Sequence, residues 1–357
     1  MKSYAKHVVM NQQAIRDLAQ TVQHNCHISD ARHGADYSLC VYLMKMREYF
    51  RWEKGLPYGT ALAKDQVGNW LQARERLWEE LEGEDLRPIP IQGEYFKPFD
   101  ADAINQRLAP SGLVYSAGLG QKAKPHFFLG DLHQRHRTGS YSVFVVASEY
   151  ARDLTAPPAM SLGDNIFLRR ESLRRMLWEK LESWRWSRPD NALGRAFACY
   201  DFENDLEASL DAMTNAEIDN LLLHEIGEHR AGKQLGDGWN EMLLDLVHRP
   251  AELMGRAVRD HLADCLSTLP ALADRSSPAA LHFYMGNLTH LRKEIFPGLN
   301  QAYVEWLESA DGESLQTIAR IGAQHWRDLG CRMQELHRRF GADAAGPIQE
   351  LVRESYL

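Results

Sequence analysis

The sequence has few cysteines, and their spacing supplies neither a disulfide framework nor a zinc ribbon. Five are present among 357 residues, the number is odd, and no two of them form a C-x-x-C pair. Secreted disulfide scaffolds and cysteine-based zinc modules depend on such pairs, so the sequence favours neither class. We expect reduced, mostly buried thiols at Cys26, Cys40, Cys199, Cys265 and Cys331.

Targeting and membrane signals are also lacking. The first residues, MKSYAKHVVMNQQ, do not contain the apolar stretch of a secretory signal. No run approaches the ~18 apolar residues that a membrane-spanning helix needs. We therefore expect a cytoplasmic protein with no membrane partner.

Basic charge is not in excess. The formal net charge is −8, which disfavours a nucleic-acid partner because such proteins carry a basic footprint. A Gly-rich phosphate loop and a nucleophile elbow are likewise missing. The composition is that of an ordinary globular protein, with 44% hydrophobic residues and nine tryptophans. The length suits two domains or one large one.

One stretch concentrates ionisable side chains on a predicted helix. Thr214 to Gly238 reads TNAEIDNLLLHEIGEHRAGKQLGDG. Thr214 followed by Glu217 predicts a capping box at the helix start, and the glycines at Gly232, Gly236 and Gly238 predict its end. Four titratable groups follow the leucine run, at His224, Glu225, Glu228 and His229. Such groups are costly to bury unless they are paired or bound to a metal.

The spacing of these groups leaves alternative ligand sets open. HEIGEH is H-E-x-x-x-H, one residue longer than the zinc-protease pattern H-E-x-x-H. On a straight helix His224 and His229 point about 140° apart, so both would bind one metal only if a π-bulge, eased by Gly227, lengthened the helix. A straight helix would instead present His224 with Glu228, or Glu225 with His229.

HEIGEHRAGK resembles the lengthened zinc helix of the dipeptidyl peptidase III family of metallopeptidases. That resemblance implies a third ligand at Asp260, with Asp264 orienting a ligand histidine, since thermolysin-like enzymes carry two acids four residues apart on a later helix. It further implies Glu225 as the general base. Tyr284, His282 or His290 would stabilise the oxyanion. As a whole, the chain also resembles an uncharacterised bacterial family.

The expected fold is α+β and predominantly α-helical, with a zincin-like small sheet and active-site helix followed by a helical part. We expect three regions, residues 1–87, 88–238 and 239–357. Lys64 to Leu81 is predicted to be a helix, and strand-like runs occupy residues 89–168. By analogy with zincins, Asn165 to Leu168 would be the edge strand that pairs with a substrate backbone.

The hypothesis that follows is a zinc-dependent hydrolase acting on a peptide or another small amide. One alternative is a non-enzymatic scaffold, in which the acids and histidines of HEIGEH pair with arginines such as Arg230 and Arg259. Another is a carboxylate-bridged di-iron protein in a helical bundle, although the usual Glu-x-x-His pattern is missing, because Ile226 precedes His229 by three residues. The sequence defines neither the substrate nor the oligomeric state.

Overall fold

A computed structural model of the chain describes residues 9–247, 249–274 and 277–357. It is a predominantly helical α+β protein with a five-stranded and a two-stranded sheet, which confirms the expected fold class. Contacts divide the chain into two compact units, the first ending at Trp178 and the second beginning at Glu179. This division differs from the three expected regions. The boundary has no signal in the sequence, because it falls inside a single helix and no turn residues mark it. The five-stranded sheet belongs to the first unit and the HEIGEH helix to the second.

Within the described residues, the first unit combines four α-helices, the start of a fifth and the strands of both sheets. The helices are α1 (Gln12–His33), α2 (Leu39–Glu53), α3 (Lys64–Leu81), α4 (Ala101–Leu108) and α5 (Arg170–Arg185). The strands are β1 (Ile89–Ile91), β2 (Glu94–Phe96), β3 (Leu113–Leu119), β4 (Pro125–Thr138), β5 (Tyr141–Arg152), β6 (Ala159–Leu162) and β7 (Asn165–Arg169). The predicted helix from Lys64 to Leu81 is confirmed.

The larger sheet is curled and has the strand order β3-β4-β5-β7-β6. Its neighbours are antiparallel except for β5 and β7, which run parallel, and the edge strands β3 and β6 approach each other. The prediction of an edge strand at Asn165 to Leu168 is therefore wrong. These residues belong to β7, which pairs with β5 on one side and β6 on the other. A hydrophobic run identifies a strand, but strand order depends on pairing partners that the local sequence does not contain.

Helix α1 covers one face of this sheet. Its buried residues Leu18, Val22 and Cys26 recur every fourth position, and the helix packs against β4 and β5. Alternate residues of each strand point to opposite faces of the sheet. Those that point away from α1 form a separate buried cluster on the other face. That cluster consists of Val114, Phe128, Phe144, Val146 and Phe167.

The second unit is helical. After the remainder of α5 come α6 (Ala192–Phe197), α7 (Leu206–Leu235), α8 (Gly238–Asp245), α9 (Pro250–Ala263), α10 (Leu269–Asp274), α11 (Pro278–Asn287), α12 (His290–Ile295), α13 (Pro297–Ser309), α14 (Glu313–Phe340) and α15 (Ala345–Arg353). Helix α14 packs against α9 and inserts the fully buried Trp326 into the core. Truncating a buried tryptophan costs about 3–5 kcal/mol, so this contact is a major part of the unit's stability. In the described residues of both units, the helices are all too short or too polar to span a membrane.

Helix α7 carries HEIGEH and begins earlier than the sequence indicated. The side chain of Asp205 accepts a hydrogen bond from the amide of Ala208 at 3.0 Å and caps the helix. The predicted capping box at Thr214 is wrong, because Thr214 lies inside the helix and donates its hydroxyl to the Leu210 carbonyl at 2.6 Å. The predicted end is confirmed, since the helix stops at Leu235 and Gly236 takes a positive φ of 77°.

The π-bulge that a joint His224–His229 ligand pair would need does not occur in this helix. Helix α7 is α-helical throughout, and the π-turn of this region lies instead at Asp264–Thr268, directly after α9. Gly227 has a different role from the one expected. A Cβ atom at this position would overlap the carbonyl oxygen of Ala263, so the missing side chain lets α7 and α9 approach closely.

Candidate metal centre

Three side chains from α7 and α9 converge in the second unit. His224, Glu228 and Asp260 each offer one ligand atom, and these atoms lie within 4.8 Å of one another. His224 and Glu228 are one turn apart and therefore share a face of the straight helix α7. Asp260 reaches them from α9, which Gly227 allows to lie close. One imidazole and two carboxylates form a donor set that suits a divalent metal ion.

The imidazole of His224 is held in one orientation. Its Nδ1 lies 2.7 Å from Oδ1 of Asp264, while its Nε2 lies 3.7 Å from Oε1 of Glu228. A carboxylate on Nδ1 fixes the tautomer that keeps the Nε2 lone pair available, as it commonly does behind a metal-bound histidine. Without a metal, burial lowers the pKa of His224, but the charge of Asp264 and its hydrogen bond outweigh burial and raise that pKa to about 10.

Asp264 is buried and its second oxygen is also occupied. The hydroxyl of Tyr284 donates to Oδ2 at 2.8 Å, and the guanidinium of Arg292 forms an ion pair with the same oxygen. Burial alone would raise the pKa of Asp264, yet the charges of Arg292 and His224 hold it well below its usual range. The carboxylate is therefore ionised and satisfied on both oxygens, which gives His224 a rigid support.

The two remaining carboxyl groups lie against each other and against an arginine. Glu228 and Asp260 are within hydrogen-bonding distance, and Nη2 of Arg259 lies 2.7 Å from Glu228 and 3.7 Å from Asp260. Burial, with the charge of Glu228 also contributing, raises the pKa of Asp260. Burial would also raise the pKa of Glu228, but the charges of Arg259 and His224 lower it. The guanidinium of Arg259 therefore offsets part of the repulsion between the two carboxyl groups, and a shared proton or a bound metal ion would offset the rest.

The other predicted site residues have different environments. Glu225 is buried on α7, and its charge, after that of Glu228, contributes to a raised pKa of Arg259. His229 is not part of the three-residue group among the described residues. His282 lies 2.8 Å from the hydroxyl of Tyr303. His290 is 96% exposed.

The sequence reasoning missed Arg292. This residue lies on the short helix α12, 28 positions after Asp264, and no motif marks it as a partner of that acid. Arg259 was named only as an ion-pair partner in the scaffold interpretation. A count of charges would have indicated that a basic partner was missing, because His224, Glu228, Asp260 and Asp264 place more acidic than basic groups in one small volume.

These features define a two-unit α+β protein whose helical unit carries a histidine–carboxylate cluster. The chain belongs to a family of unknown function, DUF6866. The N-terminal domain of this family matches residues 17–169, and its C-terminal domain matches residues 174–355. No curated protein and no solved structure matches the chain. The resemblance to dipeptidyl peptidase III thus depends on the HEIGEH segment and the acids of α9 alone.

Proposed function

We propose that this protein is a metal-dependent hydrolase whose single divalent ion is held by His224, Glu228 and Asp260. The observation that carries the proposal is the convergence of these three ligand atoms within 4.8 Å. The orientation of His224 by Asp264 supports it, because metal-binding histidines are typically held in this way. Zinc is the proposed metal, and iron is the alternative. When bound, such an ion lowers the pKa of a coordinated water and polarises a carbonyl group.

The chain's own residues would supply the remaining parts of a hydrolytic site. Asp264 keeps a proton on Nδ1 of His224, so that Nε2 faces the two carboxylates. Glu225, next to a ligand in the chain, is the proposed general base that receives a proton from water and passes it to the leaving amine. Tyr284 already donates to Asp264, so its proposed role is to support His224 rather than to contact the substrate. The proposed substrate is a peptide or another small amide.

Metal analysis of the purified protein tests the ligand set. We expect about one zinc or iron per wild-type chain, and loss of that metal in His224→Ala, Glu228→Gln and Asp260→Asn. The matched control is His290→Ala, because this histidine is 96% exposed and belongs to the same unit. An unchanged metal content in all three ligand variants would overturn the proposal.

Two further variants separate the alternatives that the sequence left open. His229→Ala should retain the metal, whereas loss of metal would restore the H-E-x-x-x-H ligand pair. Glu225→Gln should retain the metal but lose hydrolysis of a peptide library. If Glu225→Gln keeps full activity, Glu225 is not the general base.

A second candidate is a non-enzymatic scaffold in which these groups form only ion pairs. Arg259 lies 2.7 Å from Glu228, and Arg292 is paired with Asp264. These ion pairs support the scaffold alternative, because they neutralise acidic charge without a metal ion. It predicts no metal uptake by the wild type, even after zinc or iron is added. Two irons per chain would instead favour the carboxylate-bridged di-iron alternative.

A further inference from the structure

The second half of β4 has an open edge. Strand β3 pairs with β4 only between Pro125 and Asp131, whereas β5 pairs with β4 as far as Thr138. Among the described residues, residues 133–138 therefore have a neighbouring strand on one side only. From Gln134 to Thr138 the pairing with β5 runs residue for residue without a bulge, so this part of the edge is a regular strand. A regular open edge offers backbone donors and acceptors to a further strand.

The backbone groups of Arg135 and Arg137 point to this open edge. Arg137 lies opposite Ser142 of β5, yet the amide of Ser142 donates to the carbonyl of Asp164 at 2.8 Å, on the β7 side of β5. Arg137 and Ser142 are therefore a non-hydrogen-bonded pair of the antiparallel ladder, in which the backbone groups of each residue point away from the other strand. Because the ladder alternates, Arg135 has the same orientation two residues earlier.

The same two residues give the open edge its positive charge. Arg135 and Arg137 are exposed, and their side chains share one face of the sheet because they are two positions apart. The guanidinium of Arg135 lies over the ring of Phe144 at 4.9 Å, and that of Arg137 lies 3.4 Å from the carbonyl of Ser140. In the part of the chain that the structure describes, neither guanidinium forms an ion pair.

Acidic side chains do not offset this charge along the open edge. Residues 132–138 read LHQRHRT and contain neither aspartate nor glutamate. The preceding acid, Asp131, lies where β3 still pairs with β4, and its Oδ1 accepts a hydrogen bond from the hydroxyl of Tyr150 at 3.3 Å. The open edge therefore complements a negatively charged partner.

The combination of backbone groups and charge favours a peptide over a nucleic acid. A second polypeptide strand supplies both amide donors and carbonyl acceptors to Arg135 and Arg137, whereas a nucleic-acid backbone supplies only acceptors. The formal net charge of −8 for the whole chain also disfavours a nucleic-acid partner.

We infer that the open edge of β4 binds an extended acidic segment of a partner protein, which joins the sheet as an additional strand. The two residues opposite Arg135 and Arg137 exchange backbone hydrogen bonds with them, and their side chains lie beside the guanidinium groups. Acidic residues at alternate positions of the segment are thus selected, while the backbone bonds supply most of the affinity. This surface is separate from the histidine–carboxylate cluster, which belongs to the second unit.

Fluorescence anisotropy with the full-length protein tests this surface. The probe is a labelled peptide of alternating glutamate and threonine, about nine residues long, which spans the open edge. We expect saturable binding of this peptide and none of its counterpart with lysine in place of glutamate. The absence of saturable binding by the glutamate peptide would overturn the inference, and the basic side chains would then only keep the edge from associating with other sheets.

Backbone methylation of the peptide separates strand addition from simple charge attraction. N-methylation of the glutamates should weaken binding at least about tenfold, because it removes the amides that donate to the carbonyl groups of Arg135 and Arg137. N-methylation of the threonines removes amides that point away from β4, and we expect it to be tolerated. Equal affinities of the two methylated peptides would contradict the inference.

Charge reversal on the protein tests the two arginines. Arg135→Glu combined with Arg137→Glu should weaken binding of the glutamate peptide at least about tenfold, because like charges then face each other. The matched control combines Arg16→Glu and Arg76→Glu, which reverse two exposed arginines on α1 and α3 of the same unit and change the net charge equally. Equal losses in the two double variants would contradict the inference.

Two further results would assign the open edge to another occupant and overturn the inference. One is a labelled oligouridine strand that binds as tightly as the glutamate peptide, which would indicate a nucleic acid. The other is a wild-type dimer, measured by sedimentation, that the double variant at Arg135 and Arg137 abolishes, which would indicate a second copy of this chain.

Discussion

At the scale of single residues, the candidate metal centre depends on side chains that do not touch the metal position. Asp264 joins His224 to Tyr284 and Arg292, and its buried carboxylate has a partner on each oxygen. Removing one partner of a buried ion pair leaves an uncompensated charge, which costs more than the pair itself contributes. Arg292 therefore matters for folding whether or not a metal binds.

We expect Arg292→Met to lower the free energy of unfolding by about 3 kcal/mol in metal-free buffer, because Asp264 loses its guanidinium partner. Urea denaturation measures this change. The control is Arg327→Met, since the Arg327–Asp328 pair is exposed and such pairs contribute about 0–1 kcal/mol. Equal effects in the two variants would show that Arg292 is not a structural partner of Asp264.

A second prediction concerns Glu217, which is 4% exposed on α7 and has one oxygen without a hydrogen-bond partner in the described residues. Burial raises its pKa from 4.5 to about 7. Because the folded state binds the proton more tightly, this carboxyl stabilises the fold below pH 4.5, and that contribution is lost as the pH rises through 7. Glu217→Gln should thus raise the free energy of unfolding by about 3 kcal/mol at pH 8 and by much less near pH 5. Denaturation at both pH values, with exposed Glu241→Gln as control, measures the difference; a pH-independent effect would contradict the prediction.

The sequence predicted the chemistry of the cluster better than its geometry. His224, Glu228, Asp260 and Asp264 were all named, because imidazole and carboxylate groups at helical spacing are visible in a sequence. The choice between Glu228 and His229 was not visible, since it depends on whether α7 contains a π-bulge. Arg292 could not be found, because its contact with Asp264 joins helices that are distant in the chain.

At the scale of helices, the approach of α7 to α9 brings the candidate ligands together. His224 and Glu228 lie on α7 and Asp260 on α9, and the backbone of Ala263 lies where a side chain of Gly227 would be. The end of α7 was predictable because Gly236 takes a conformation that glycine favours. The start was not, because Thr214 and Glu217 match a capping box inside a helix as well as at its beginning.

We expect Gly227→Ala to destabilise the protein by about 1–3 kcal/mol, because the methyl group must push the two helices apart. It should also weaken metal binding, since Asp260 then moves away from His224 and Glu228. Gly232→Ala is the matched control on the same helix, with no heavy atom within 4 Å of its added methyl group, and it should be stabilising by about 0.5–1 kcal/mol. Denaturation and metal titration of both variants provide the readout; a neutral Gly227→Ala would show that the close approach is dispensable.

At the scale of the whole molecule, the two units differ in charge. Residues 179–357 contain 29 acidic and 18 basic residues, a formal net charge of −11, whereas residues 1–178 contain 20 acidic and 23 basic residues, a net charge of +3. The acidic excess of the second unit favours the binding of cations there. The division at Trp178 could not be predicted from sequence, because α5 crosses it as one amphipathic helix.

The segment after α5 should be the first site of proteolysis. Residues 186–191 are exposed, and the side chain of Trp186 is 86% exposed, which suits cleavage by chymotrypsin. We expect limited digestion of the folded protein to yield fragments 1–186 and 187–357 first, as identified by intact mass. Trp186→Ala should slow this cut, while Trp184→Ala in the preceding helix should not; an earlier cut elsewhere would contradict the prediction.

The π-turn at Asp264–Thr268 constrains which length changes the chain can tolerate. A π-turn holds one residue more than an α-turn, so deleting a residue within it would restore α-helical geometry without interrupting the helix. Such a deletion removes the residue that the π-turn accommodates, so the buried Leu269 and Leu272 would still face the core. A deletion within the regular helix α9 has no such compensation, and every position after it would be rotated by about 100°. Homologous chains of this family should accordingly differ in length by one residue at this turn more readily than within α9.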